Sequence, residues 1–325
     1  MKVIIPAAGH GSRLRPYTYT VPKSLLPVAG KAILGFIVDQ ALEWGADQIT
    51  IIYGYLREQV KTYLDDNYRI PIDYRLQEKP LGLGQAVYLG LDPGDRETVV
   101  ILGDTIVEAD LTAVISAGRT ALGVKEVADP RKFGVAVLQD GRVTRLIEKP
   151  VEAVSNQALV GLYYFRDGNT LRAALENTMQ RGSGVKNEFQ LTDALQMLVE
   201  AGEDLQVFTV SEWFDCGTPD ALIDCNQYLL SRNGSAIRSP HTDDSVLIPP
   251  LFIGAGSEII RSVVGPFVSI GSKTCVKDSV LRNSIIGDQA RIQDVTLSRA
   301  VLGNRTELTG RPLEVRLGAS TGLKL

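Results

Sequence analysis

Cysteine and histidine are scarce in this chain. It has three cysteines, Cys216, Cys225 and Cys275, an odd number without metal-ligand spacing. That excludes a disulfide framework and a cysteine-built zinc site, and it fits reduced thiols in the cytoplasm. The two histidines, His10 and His241, lie far apart, no nucleophilic triad is visible, and neither is assigned a catalytic role. Long apolar runs are also missing. None approaches the roughly 20 residues that a membrane span needs, and no leader pattern precedes the first strand, so neither membrane insertion nor export is expected. Nor is there an excess of positive charge. A net charge of −4 argues against nonspecific nucleic-acid binding, although a nucleotide needs only a local basic cluster.

What is present is an ordinary soluble composition, 44% hydrophobic and 22% charged, over 325 residues, enough for one large α/β unit and an appendage. Val3-Ile4-Ile5 reads as a buried strand. A helix is expected over 33–44, a strand over 49–53, a helix over about 56–66, a strand over 72–77, a helix over about 83–91 and a strand over 98–102. This alternation predicts a Rossmann-like, mostly parallel mixed sheet covered on both faces, with ligands beyond the carboxyl ends of its strands. Further on, Asp140-Gly141 marks a hairpin, 158–165 a strand, about 170–180 and 192–201 helices, 205–210 a strand and about 219–230 a last helix. Residues 231–235 look like an exposed boundary, which divides the chain into domains 1–235 and 236–325.

Beyond about residue 240 helical periodicity stops. Ile-Gly or Leu-Gly pairs recur at Gly254, Gly271, Gly287 and Gly303, at intervals of 17, 16 and 16. Such a period predicts stacked coils, here a short left-handed parallel β-helix with Val264, Ile270, Val276, Val280, Ile286 and Ile292 on its faces. No histidine follows His241 to serve as an acyltransferase base, so the tail is read as structural or oligomer-forming.

The chemistry concentrates in 7–27. Gly9 and Gly11 permit a tight turn whose amides can face an anion, and Arg13 and Lys23 add a planar fork and a point charge, a combination that suits a triphosphate. A dinucleotide fingerprint would need a glycine where Leu14 stands, and a P-loop would need a Gly-Lys-Ser/Thr ending that is absent. Asp104 follows a buried strand and a glycine, well placed for a hard cation, while Ile106 removes the second half of a D-x-D pair. A second carboxylate is available at Asp215 in Trp213-Phe214-Asp215-Cys216-Gly217-Thr218-Pro219, where Thr218-Pro219 also reads as a helix cap.

The pattern G-x-G-(S/T)-R-L-x-P-x-T-x-x-x-P-K-x-L-x-P-V resembles the sugar-1-phosphate nucleotidyltransferases, and the resemblance extends through the whole chain. It implies attack of a sugar-phosphate oxygen on the α-phosphorus of an NTP with release of pyrophosphate. On that resemblance Arg13, Lys23 and Lys149 would be catalytic, with Lys149 in Glu148-Lys149-Pro150 holding the acceptor phosphate. Asp104 and Asp215 would hold Mg2+. Ala8, Gly9, Gly11, Ser12, Gln77 and Gly82 would bind the nucleotide, with Gln77 offering a donor and an acceptor to a pyrimidine. Gly134, Glu148, Gly161, Tyr163 and Glu188 would contact the sugar, Glu188 within the segment 186–193, where Thr192 reads as a helix N-cap. Ala8, Ser12 and Pro6 depart from the usual glycine, threonine and leucine. The implied substrates are dTTP or UTP and glucose 1-phosphate, and the implied protein is a cytoplasmic homo-oligomer. Two alternatives remain, a mannose-1-phosphate guanylyltransferase and a non-catalytic regulatory subunit that binds nucleotide-sugars.

Overall fold

The computed structural model describes residues 1–182 and 188–310. These divide into two compact units, Met1–Leu26 with Lys31–Cys225, and Pro27–Gly30 with the chain from Asn226 onward.

The first unit is built on a nine-stranded mixed sheet. Its strands are β1 (Lys2–Pro6), β2 (Gln48–Tyr53), β3 (Ile72–Leu76), β4 (Thr98–Ile101), β6 (Ala121–Glu126), β7 (Gly134–Gln139), β8 (Arg142–Glu148), β9 (Gln157–Phe165) and β10 (Gln206–Thr209). Two further strands outside this sheet are β5 (Thr105–Glu108) and β11 (Glu212–Asp215). The order is β3-β2-β1-β4-β9-β6-β10-β8-β7. The first four run parallel, β9 runs against both β4 and β6, and β8 runs against β7 and β10. The expected α/β class with a mixed sheet is therefore observed.

The apolar runs explain which strands are central. Val3, Ile4 and Ile5 have no exposed surface, as expected of a strand covered on both faces, while edge strand β3 is only half-buried. One face is closed by the helices Leu83–Gly90, Gly168–Gln180 and Leu191–Glu200, whose Val87, Leu171, Leu175, Leu195 and Leu198 pack with Ile4, Val100, Leu122 and Leu146. Strand β6 has no counterpart in the sequence expectation, and neither do a short helix and a two-stranded ribbon. A short helix, Leu111–Ala117, is capped by Asp110, whose carboxylate accepts the Ala113 N–H at 3.2 Å, and it stops at Gly118 with φ 61°. Strands β5 and β11 pair antiparallel as a small ribbon that places Asp215 opposite Thr105.

The second unit is a stack of coils whose strands form three parallel sheets. Leu251, Ile253, Ile259, Val264, Ile270, Val276, Leu281, Ile286 and Ile292 fill its interior. The repeating glycine has a steric cause. A β-carbon on Gly271 or Gly287 would lie 2.5 Å from the backbone nitrogen of Asp288 or Asn304 in the next coil. Hydroxyls run up the corners. Ser257 Oγ donates to Gly271 O (2.8 Å) and Thr274 Oγ1 to Gly287 O (2.8 Å), each in turn accepting an N–H from the following coil. One expected inward residue is corrected. Val280 is half-buried and Leu281 takes the interior position, because that side of the coil advances five residues from Val276 rather than six. Within this unit, buried Asn226 accepts the Ala29 N–H at 2.8 Å and the Ser269 hydroxyl at 2.6 Å and donates to Phe267 O at 3.1 Å.

Candidate active site

At the carboxyl ends of the parallel strands the first unit opens into a cleft of about 900 Å³. Its walls bring together Arg13, Asp104, Gly134, Glu148, Lys149, Gly161, Tyr163 and Asp215, residues gathered from six parts of the chain.

The loop after β1 folds as three 3-10 turns, Ser12–Leu14, Tyr17–Tyr19 and Lys23–Leu25, pinned by buried Leu14. Gly11 has φ 62°, and a β-carbon there would press on Thr18 Cγ2 at 2.9 Å and Lys23 Cβ at 3.0 Å, so this position requires glycine. The Thr18 hydroxyl locks the turn by donating to Gly11 O at 2.8 Å. Gly9 faces open space, and Ser12 is exposed at the head of the first turn.

Lys23 Nζ is hydrogen-bonded to Asp104 Oδ2 and lies 3.8 Å from Asp215 Oδ1. Arg13 joins the same group, since a β-carbon on Gly217 would meet Arg13 Nη2 at 2.8 Å and Asp215 Oδ1 at 3.0 Å. Burial, and next the Asp104 charge, push the Asp215 carboxyl above its ordinary range, while Lys23 and Arg13 pull it back. Asp104 and Asp215, which share Lys23, are the two carboxylates here that could hold a cation. No cluster of three or more His, Cys, Asp or Glu ligands exists among the described residues. A bound cation would therefore complete its shell with phosphate oxygens and water, which is how Mg2+ is commonly held.

At the other end of the cleft Glu148 accepts the Thr192 hydroxyl at 2.8 Å and pairs with Lys149 Nζ at 2.8 Å. Gly134 makes room for this, because a β-carbon there would sit 3.0 Å from Glu148 Oε2 and 3.1 Å from Thr192 Oγ1. Thr192 is not the expected N-cap. The helix already begins at Leu191 with Gln190 before it, so the Thr192 hydroxyl is free to bind Glu148. Lys149 has a left-handed backbone, φ 45°, held by its N–H to Phe133 O at 3.1 Å. Tyr163 lines the cleft yet is 5% exposed, and burial followed by the Glu148 charge keeps its phenol protonated. It belongs to core and wall alike. Glu188 stays outside the cleft walls, exposed and accepting from Gln190 Nε2 at 3.2 Å, while Gln190 lines the cleft. Lys186 and Asn187 of the same segment lie outside the described residues.

A second hollow, about 370 Å³, is lined by Ala8, His10, Gly54, Tyr55 and Gln77 among others. Gln77 Nε2 donates to Gly82 O at 3.1 Å and to Gln85 Oε1 at 2.8 Å, so both amide hydrogens are engaged and the oxygen is what remains for a ligand. Gly82, with φ 100°, precedes the helix Leu83–Gly90 and would strike Phe189 O at 2.5 Å if it carried a β-carbon.

Several wall residues carry little signal in the sequence. The Tyr55 ring lies 5.0 Å from that of His10, just past the end of β2, where the strand-end rule alone could have flagged it. Trp213 was quoted only as part of a motif. Its ring meets Phe133 edge-on at 4.7 Å, and its buried indole N–H has no acceptor among the described residues. Lys132 also faces the cleft.

The family profile described as nucleotidyl transferase matches residues 2–232. The chain is 32% identical to the low-salt glycan biosynthesis nucleotidyltransferase Agl11 of Haloferax volcanii, over all of both chains. It is 30% identical to a glucose-1-phosphate thymidylyltransferase of Streptomyces griseus, covering 96% of this chain and 94% of that one. A crystal structure of UDP-glucose pyrophosphorylase complexed with UDP-glucose superimposes with a TM-score of 0.63 at 26% identity, over 71% of this chain and 98% of that chain.

Proposed function

The chain belongs to the nucleotidyl transferase family, and on that premise we propose that it transfers a nucleotidyl group from dTTP or UTP to a sugar 1-phosphate, with glucose 1-phosphate the favoured acceptor. The observation that carries the donor choice is the state of Gln77. With both amide hydrogens engaged by Gly82 O and Gln85 Oε1, it can offer a base only an acceptor. An acceptor pairs with the imide N–H of thymine or uracil and opposes the ring-nitrogen acceptors of cytosine and adenine, while guanine N1–H would satisfy it too, so the preference over GTP rests on the resemblance to thymidylyl- and uridylyltransferases. The expected donor-plus-acceptor contact thus narrows to an acceptor.

In this reading the two anionic reactants meet across a cleft whose main task is charge neutralisation and in-line positioning. The acceptor phosphate oxygen attacks the α-phosphorus and the bond to pyrophosphate breaks. Arg13 and Lys23, already grouped with the carboxylates, hold the charge that accumulates on the departing pyrophosphate. Lys149 orients the nucleophilic phosphate, and Glu148, fixed by Thr192, addresses sugar hydroxyls. Asp104 and Asp215 would hold Mg2+, which supplies further neutralisation of the phosphates when bound. Ala8, Gly9, Gly11, Ser12 and Gly82 would shape the nucleotide side, and Gly134, Gly161, Tyr163 and Glu188 the sugar side. We also infer domains 1–235 and 236–325, a left-handed sense for the β-helix in keeping with its roughly six-residue face spacing, a homo-oligomer, and a cytoplasmic location. No helix among the described residues is long and apolar enough to cross a membrane.

The test is pyrophosphate release with Mg2+, each of five NTPs, and glucose 1-phosphate or mannose 1-phosphate. Release with dTTP or UTP is expected. Release with GTP alone would replace the proposal by the guanylyltransferase, and silence in every well with retained nucleotide-sugar binding would replace it by the regulatory subunit.

A further inference from the structure

The 3-10 turn Pro130–Lys132 ends in two adjacent cations just before Phe133-Gly134. They have different surroundings. Arg131 is tied back to Asp129, its Nε and Nη2 donating to the two carboxylate oxygens at 2.7 and 3.1 Å. Lys132 lines the cleft and has no ion-pair partner among the described residues. Among the described residues, the cations at and beside the cleft other than Lys132 are committed, Lys23 to Asp104, Arg13 beside Asp215, and Lys149 Nζ to Glu148 Oε1 at 2.8 Å. Lys132 and Lys149 are also joined through one peptide, since Phe133 follows Lys132 and its carbonyl accepts the Lys149 N–H at 3.1 Å.

Resting on the sugar-1-phosphate reading, we propose that Lys132 is a second binding cation for the phosphate of the acceptor, acting beside Lys149. A phosphate held by Lys149 alone would compete with Glu148 for a single ammonium. A second ammonium on the cleft wall, with no carboxylate in direct ion pair among the described residues and only the more distant charge of Asp129, which is bonded to Arg131, removes that competition and leaves Glu148 available to the sugar. A point-charge lysine, free to follow the phosphate as it approaches the α-phosphorus, suits the task better than a rigid guanidinium fork.

Steady-state kinetics with both substrates varied test the assignment. Lys132→Ala raises the KM for the sugar 1-phosphate about 5–10-fold, the loss of one charged hydrogen bond. It leaves the KM for the NTP and kcat within about twofold, and Lys132→Arg recovers most of the acceptor KM. Added salt raises the acceptor KM of the unsubstituted protein more steeply than that of Lys132→Ala. Arg131→Ala, which removes the cation tied to Asp129, leaves the acceptor KM unchanged. An unchanged acceptor KM in Lys132→Ala, or an equal rise for both substrates, overturns the inference while the activity of the unsubstituted protein preserves the reading beneath it. Failure of the unsubstituted protein to bind or turn over any sugar 1-phosphate overturns both.

Discussion

In the solenoid, residues with side chains take up left-handed backbone at corner after corner. Asp244, Arg261, Asp278 and Asp294 do so on one corner, and Lys273, Gln289 and Arg305 on another. The sheet unit does so at Leu56, Asp140 and Lys149. The cost of that conformation for a non-glycine residue is similar in both places, but what offsets it differs. Apart from Asp244, each of these solenoid corners repeats a backbone bond to the preceding coil, as in Arg261 N–H to Asp243 O at 2.8 Å and Gln289 N–H to Ser272 O at 2.9 Å. Arg261 adds a two-pronged pair with Asp278 one coil on, both bonds at 2.7 Å. Lys149 stands alone, held by one bond to Phe133 O beside the cleft. In one unit the strained backbone is architecture shared among neighbours, and in the other it aims a single ammonium.

If that contrast is sound, substitutions in the two units should fail in different currencies. The largest effect is expected at the paired carboxylates. Asp215→Asn should lower turnover by about 10³-fold, since on the proposed mechanism it removes charge that would position cation and phosphates. It should leave the thermal midpoint intact, because the buried Asp215 is already disfavoured by its burial and by Asp104. Turnover within tenfold of the unsubstituted protein would break the assignment. Next comes the coil contact. Gly271→Val should destabilise the second unit by about 1–3 kcal/mol, the usual cost of overpacking, seen as a lower urea midpoint, whereas Gly9→Ala should leave stability unchanged because nothing lies within 4 Å of the added carbon. Equal stability losses at the two glycines would erase the distinction.

The smallest effect concerns acid. Beneath the sheet, buried Lys2 donates to Asp92 and Asp95 at 2.8 Å each, and Arg75 Nη2 donates to Asp92 at 2.6 Å. The bond from Arg75 chiefly, then Lys2, lowers the Asp92 carboxyl to about 2. A folded value below the unfolded one gives stability that is fully present above about pH 4 and is lost as pH falls toward 2. Asp92→Asn should flatten that acid limb in a series of melting curves, and a limb of undiminished slope would show that other carboxylates govern it.

How much of this was legible beforehand follows the range of the forces involved. Strands such as Val3-Ile4-Ile5 declare themselves because central positions of a parallel sheet must be apolar on both faces. The glycine period of the coils was visible because each coil sterically demands it. The five-residue step to Leu281 was not, since a corner can omit a residue without changing composition. Thr192 matches the capping rule from sequence because threonine before an apolar run satisfies it equally well two residues past the true cap, Gln190. The orientation of the Gln77 amide depends on Gln85 and Gly82 O, and only the folded loop determines those partners. The β5–β11 ribbon was likewise hidden, being two four-residue strands with no periodicity to announce them.

That ribbon also sets a clock. Asp104 directly precedes one of its strands and Asp215 ends the other, side by side at the same end of the ribbon, and Cys216 N–H closes on Asp104 O at 3.1 Å only once both strands are present. During synthesis the nucleotide loop, β4 and Asp104 emerge long before the second carboxylate. Until translation has passed β11, the nascent chain holds only one of the two carboxylates proposed to bind a cation. A polypeptide that ends before β11 therefore lacks one of the two carboxylates proposed to hold the cation, however well its early strands have paired.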